Sequence, residues 1–223
     1  MSIEPDRIRA ICFDIDGTLS DTDNQMITRI EPWFKPLRLI FSHYKVHKFI
    51  RRIVMGVEAP ANVVYGLLDR LGLDFLLIRI MTQYSGKGFR KKRAFLLMTG
   101  VKKTLEILSN RFPLAIISAR DEASAREFLS EFDLERFFKV VVTTKTCPHT
   151  KPFPDQLIYA ARLMNIRPED CLMVGDSPID IRTGQRAGAQ TVGVLCGFGT
   201  RKELIHASAD LIIPHTSDLI DYL

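Results

Sequence analysis

The sequence predicts an α/β fold: a Rossmann-like, doubly wound parallel sheet with an all-helical cap inserted after its first strand. Three observations carry this expectation. From residue 98 onward, short β-rich apolar runs alternate with amphipathic helical stretches. Most of these runs are continuously apolar rather than alternating in and out, as strands covered on both faces are. Between the first run and Gly100 lies a long stretch with no convincing strand, rich in Phe, Leu, Ile, Lys and Arg.

The elements follow in order. The first strand is expected at Ala10–Asp16, and further strands at Leu114–Ala119, Val140–Thr143, Cys171–Gly175, Thr191–Leu195 and Leu211–Ile213. Helices are expected between them at Val101–Asn110, Glu122–Glu131, Pro154–Asn165, Pro178–Ala187 and Arg201–Ala207. In the third, Leu157, Ala161 and Met164 recur at helical spacing. The fourth opens on Ser177-Pro178, a capping residue followed by proline at the first helical position. Such alternation implies right-handed crossovers in one sheet. Residues 20–97 read as several helices forming a lid over the sheet's C-terminal edge. The core is then 1–19 and 98–223, and the cap 20–97.

With 223 residues, 46% of them apolar, the chain can bury a sizeable core and carry a smaller inserted unit. No apolar run approaches the ~18–20 residues of a membrane span, and the run Phe75–Ile78 is broken by Arg79. The first ten residues lack a basic region followed by an apolar core, so no secretory signal is expected. Four cysteines (Cys12, Cys147, Cys171 and Cys196) are scattered with no C-x-x-C pair, as expected for reduced thiols in a cytoplasmic protein. Cys147 and His149 have no matching ligand pair nearby to make a metal site.

Charge is uneven. Residues 20–97 hold 14 Lys and Arg against 6 Asp and Glu, leaving 17 against 20 in the rest of the chain. The plain account is a solvated helical face. A sharper one has Arg51, Arg52, Arg90, Lys91, Lys92 and Arg93 steering a polyanionic substrate. A third is peripheral contact with anionic lipid through the mixed aromatic and basic run Trp33–Phe41. No nucleic-acid partner is expected, and the assembly is a monomer or homodimer.

The chemistry sits at strand ends, where open α/β sheets bind ligands. Asp14 and Asp16 end the first strand; at i and i+2 both carboxylates can face one site. Gly17 permits a sharp turn, and the Thr18 hydroxyl with the turn amides can hold an anion. Asp176 ends another strand and Asp180 opens the next helix. Carboxylates so clustered repel one another without a counter-ion, and Mg²⁺, a hard cation taking oxygen ligands, suits them. Ser118 and Ala119 offer a hydroxyl and a turn amide, and Lys151 a point charge for phosphate. Arg120 is expected to pair with Asp121 or Glu122 on the surface.

Asp14-Ile15-Asp16-Gly17-Thr18, Ser118, Lys151 and Gly175-Asp176-Ser177-Pro178-Ile179-Asp180, in that order, resemble the four motifs of the haloacid dehalogenase-like hydrolase superfamily. Within it, TGVKKTLEIL, KPFPDQL, VGDSPIDI, AGAQTVGV and LCGFGTRKEL are most similar to the phosphoglycolate-phosphatase branch with a helical cap. The resemblance implies a Mg²⁺-dependent phosphatase acting on a small phosphomonoester such as phosphoglycolate, a nucleotide or a sugar phosphate. Asp14 would be the nucleophile forming an aspartyl-phosphate, and Asp16 the general acid and then base. Mg²⁺ would be held by Asp14, the Asp16 carbonyl and Asp176, with Asp180 nearby or bound through water. Ser118 and Lys151 would grip the phosphoryl group. Two other activities fit the same motifs: a phosphosugar mutase of the β-phosphoglucomutase type, and a basic-cap protein binding lipid or nucleic acid on an inactive frame.

Overall fold

The computed structural model describes residues 2–21 and 95–223. These belong to one compact unit, built from residues 1–22 and 95–223. The expected cap helices, the basic cluster at 90–93, Arg51, Arg52 and the Trp33–Phe41 run lie outside the described residues.

The chain forms β1 (Ala10–Phe13), α1 (Val101–Ser109), β2 (Leu114–Ile117), α2 (Glu122–Glu131) and β3 (Phe138–Val142). It continues with α3 (Asp155–Leu163), β4 (Cys171–Gly175), α4 (Pro178–Arg186), β5 (Gln190–Val194), α5 (Arg201–His206) and β6 (Leu211–Ile213). Single 3-10 turns and a longer 3-10 segment at Thr216–Tyr222 complete it. Every sheet pairing is parallel, and the strand order is β3-β2-β1-β4-β5-β6.

The four inner strands, β1, β2, β4 and β5, are buried because both sheet faces are covered. In β1, Ile11 and Phe13 join one apolar cluster with Leu105 and Leu108 of α1 and Phe128 of α2. Ala10 and Cys12 point the other way, to a second cluster with Leu157, Ala160 and Ala161 of α3. Successive strand side chains alternate faces, so a continuously apolar run is what two covered faces demand. Cys12 and Cys171 lie in that second cluster as buried free thiols. The β1–β4 register sets Phe13 beside Val174 and Cys12 beside Met173.

The order also places the site. From β1 the chain steps outward through β2 and β3, then returns to lay β4 on the other side of β1. The reversal opens a crevice beyond the carboxyl ends of β1 and β4, where open α/β sheets take their ligands. The first strand is shorter than expected: it stops at Phe13, and the turn from Ile15 to Ser20 closes through Leu19 and Ser20 amides on the Ile15 carbonyl (2.9 and 2.8 Å). Gly17, at φ +75°, gives its amide to the Ser20 carbonyl at 2.9 Å. Past this turn, the chain legs leading into and out of residues 22–94 lie side by side: Ser20 bridges Leu97 antiparallel, and the Asp21 amide meets the Leu96 carbonyl at 2.8 Å.

Candidate active site

Asp14 follows β1 directly, its amide still donating to the Val174 carbonyl at 3.0 Å. That ladder bond fixes the residue beside the end of β4, where Asp176 follows Gly175. Both carboxylates are buried, at 5% and 3% exposure. The third, Asp180, sits in the first turn of α4 and is 1% exposed. Its Oδ2 accepts from the Ser177 amide at 3.1 Å and the Ser177 hydroxyl at 2.6 Å, which holds the helix start and the carboxylate together. Gly175 is required beneath it: a Cβ there would lie 2.3 Å from the Asp180 Cβ.

Lys151 supplies the positive charge. It is buried, and its Nζ donates to Asp14 Oδ1 and to Asp180 Oδ1, each at 2.6 Å. The loop carrying it is tied down by Gln156 of α3, which is fully buried. Gln156 Oε1 accepts from the Lys151 amide at 3.3 Å, while its Nε2 donates to the Thr143 carbonyl at 2.9 Å and the Ser118 carbonyl at 3.4 Å. One side chain thus links the ends of β2 and β3 to the lysine loop.

Asp176 is held from a loop after β5. The Phe198 amide donates to its Oδ2 at 2.7 Å. Glycines make the approach feasible: a Cβ on Gly197 or on Gly17 would lie 2.2 or 2.3 Å from Asp176 Oδ2, and one on Gly199 would lie 1.9 Å from the Asp176 carbonyl oxygen. Sequence periodicity singles out neither this Gly-Phe-Gly loop nor Gln156. The signal that could reveal the loop is its position, a pair of glycines just beyond the carboxyl end of a strand.

The electrostatics show a charge deficit. Burial pushes the Asp14 carboxyl up from 3.8 to about 7, Asp180 and Asp16 adding to the rise while Lys151 opposes it. Burial also raises Asp176 well above the usual carboxylate range, with Asp180 and Asp14 contributing. For Lys151, burial would lower the value, but the carboxylates of Asp14 and Asp180 outweigh it and the net shift is upward. Ionised together, three carboxylates against one ammonium would leave two negative charges in a buried crevice, and the raised Asp14 and Asp176 values reflect that cost. Oxygens of Asp14, Asp176 and Asp180 lie within 4.8 Å of one another, the only such group of metal-ligating side chains among the described residues. An all-carboxylate donor set with an uncompensated charge of two fits a hard divalent cation such as Mg²⁺.

Asp16 occupies a different environment. It lies beyond β1 in the turn, with its side chain 36% exposed, and Arg120 grips it: Nε to Oδ2 at 2.8 Å and Nη2 to Oδ1 at 2.6 Å. This corrects the expected surface pairing of Arg120. Its side chain is only 9% exposed and stacks over Phe95 and Phe128, ring centroids 5.1 and 5.2 Å away. Its chain neighbours are engaged elsewhere: Asp121 caps α2 by accepting from the Ser124 amide at 3.0 Å, and Glu122 pairs with Arg126. Apolar stacking is open to a guanidinium because its hydration is weak.

The remaining expected residues fall around the crevice. Ser118 directly follows β2, buried, its hydroxyl accepting from the Arg120 amide at 3.1 Å, and Ala119 beside it is exposed. Thr18 is fully buried; its carbonyl accepts from the Thr216 hydroxyl at 2.6 Å, and its own hydroxyl has no partner among the described residues.

A six-stranded parallel α/β sheet with buried aspartates and a lysine at its switch point defines a class of hydrolase. The chain belongs to the haloacid dehalogenase-like hydrolase family, whose profile matches residues 11–194. It is 32% identical to Pyrophosphatase PpaX of Oceanobacillus iheyensis over 216 residues, covering 96% of this chain and 95% of that one. Among solved structures it is similar to a haloacid dehalogenase-like hydrolase from Streptococcus pneumoniae, with a TM-score of 0.64 and 22% identity over 97% of this chain and 99% of that one. A predicted phosphoglycolate phosphatase from Haemophilus somnus gives a TM-score of 0.63 at 20% identity, over 96% of this chain and 97% of that one. No helix among the described residues is long and apolar enough to cross a membrane.

Proposed function

We propose that this hydrolase is a phosphatase that transfers a phosphoryl group from a small phosphate ester or anhydride to Asp14 and then to water. The observation that carries the reading is Lys151 donating to both Asp14 and Asp180 in the crevice that also holds Asp176. An Asp14 oxygen attacks phosphorus as the bond to the leaving oxygen breaks. The Asp16 carboxyl gives that oxygen its proton. Water then attacks phosphorus, Asp16 takes the proton back, and the Asp14 carboxylate leaves with release of phosphate. Lys151, with the Ser118 hydroxyl and the Ala119 amide, holds the transferring oxygens, where stabilisation of developing charge counts most. Asp14, Asp176 and Asp180, with the Asp16 carbonyl, would hold Mg²⁺, which shields the substrate's charge from the carboxylates. Residues 20–97 are read as the inserted helical cap, and substrate choice as residing there. The similarity to a pyrophosphatase makes pyrophosphate the first compound to try.

The test is phosphate release with Mg²⁺ from pyrophosphate, phosphoglycolate, nucleotides and sugar phosphates, by wild type and Asp14→Asn. Release that requires Mg²⁺ and is lost in Asp14→Asn is expected. Wild-type inactivity throughout the panel, or an Asp14→Asn protein with undiminished release, would overturn the reading.

A further inference from the structure

The proposed chemistry uses Asp16 twice, as acid and as base, yet Asp16 stands on a turn with a third of its side chain exposed. Something must keep it in place. Arg120 meets both carboxylate oxygens, at 2.8 and 2.6 Å, through the parallel fork that gives a guanidinium its geometric grip. The fork is itself fixed. Arg120 follows Ser118 by two residues, and its carbonyl accepts from the Thr144 amide at 3.2 Å, so its backbone is pinned where β2 and β3 end. Its guanidinium lies over Phe95 and Phe128, which contact each other edge to face with centroids 5.7 Å apart. Nη2 also reaches the Ser20 hydroxyl at 3.4 Å.

We propose that Arg120 is the positioning residue for Asp16, holding its carboxylate in the orientation that takes the proton of water in the second half-reaction. A bidentate guanidinium fixes both the plane and the direction of the carboxylate it grips. With an ester whose leaving group needs no proton, Asp16 has a single task left, the removal of the proton from water. Hydrolysis of the aspartyl-phosphate, rather than its formation, is then the step that Arg120 governs. The proposal rests on the reading of Asp14 and Asp16 given above.

The experiment uses the full chain with p-nitrophenyl phosphate and Mg²⁺, comparing wild type, Arg120→Met, Arg120→Lys and Asp16→Asn. The leaving nitrophenolate needs no proton donor, so formation of the phosphoenzyme is separated from its breakdown. In Arg120→Met, kcat is expected to fall roughly 10- to 100-fold, a fraction of what a general base contributes. KM should fall in parallel, leaving kcat/KM little changed. Rapid mixing should show a burst of nitrophenol near one per enzyme, and acid-quenched protein should carry the mass of one phosphoryl group. Arg120→Lys, which keeps the charge without the fork, should fall between; it carries the test if Arg120→Met does not fold. A loss of kcat/KM equal to that of kcat with no burst and no trapped phosphoenzyme, while Asp16→Asn does trap it, would overturn the role of Arg120 alone. Failure of Asp16→Asn to trap it, or wild-type inactivity on this ester, would overturn the underlying reading and the inference with it.

Discussion

Without a divalent cation, the folded protein should lose stability as pH rises from 5 to 8. The Asp14 carboxyl stands at about 7 when folded against 3.8 ordinarily, raised first by burial. Between those values the folded state keeps a proton that the unfolded chain has released. The folded state therefore binds more protons, and stability falls with pH. At about 1.4 kcal/mol per unit, the full penalty above pH 7 is about 4 kcal/mol, of which about 2–3 kcal/mol accrue between pH 5 and 8. For a chain of this size, that is a fall in Tm of roughly 5–10 °C. The raised value of Lys151 reflects the same attraction seen from the other partner, and its contribution is lost only at alkaline pH, so it is not counted again. In the proposed site Mg²⁺ would supply the missing charge. Its stabilisation should therefore grow across the same window, flattening the slope. Thermal melting with and without Mg²⁺ measures both. Asp14→Asn is neutral throughout, so its cation-free Tm should exceed the wild-type value at pH 8, and subtracting one profile from the other cancels the five histidines. A cation-free wild-type Tm that is flat or rises from pH 5 to 8, or an Asp14→Asn profile with the full wild-type slope, would refute the reasoning.

Three further outcomes are expected. Lys151→Met should cut phosphate release by roughly 10²–10³ and destabilise the cation-free fold by about 3–5 kcal/mol, because it strands two buried carboxylates; Mg²⁺ should restore part of the lost Tm. Gly199→Ala would place a Cβ 1.9 Å from the Asp176 carbonyl oxygen and so displace the Phe198 amide from that carboxylate. The Mg²⁺ concentration for half-maximal activity should rise about 10- to 100-fold, read from a metal titration. Gln156→Leu leaves the Thr143 carbonyl without its 2.9 Å donor and should cost about 1–3 kcal/mol in denaturant unfolding.

The sheet was legible because burial on two faces writes itself as continuous apolar runs. Cys171–Gly175 and Leu211–Ile213 lie where the runs place them. β3 instead begins at Phe138, two residues before the expected start, because Lys139 interrupts the run. On an edge strand an exposed lysine costs nothing, and it blunts the open edge. The 3-10 segment at Thr216–Tyr222 was not anticipated, since its three-residue turns leave no helical period. At the site, the residues that bear charge at strand ends were legible from type and position. Those that position them were not. Gln156 looks like any polar residue of a helix start, although it is fully buried. Arg120 stands beside Asp121 and Glu122, and local reading pairs it there. Its actual partner is 104 residues away in sequence, and only the fold brings the two together.

That pairing bears on why two acids one residue apart can take the different roles proposed for Asp14 and Asp16. Placed at i and i+2 of a strand, Asp14 and Asp16 would share a face and an environment. Ending β1 at Phe13 breaks the equivalence. Asp14 remains on the ladder, buried against Lys151, while Asp16 falls on the turn, partly exposed and held by Arg120. A nucleophile needs burial beside a cation that will also hold the substrate's oxygens. A proton carrier needs access to water and a support that fixes its direction. Divergent environments for paired carboxylates are how one site runs two roles. Here the divergence is set by two cations from different loops: Lys151 reaches in from the loop before α3, and Arg120 from the end of β2. Exchanging their chemistry should therefore not be neutral. Lysine at 120 would lack the fork that orients Asp16, and arginine at 151 would need space that the 5% exposed lysine site, closed by Asp14 and Asp180, does not offer.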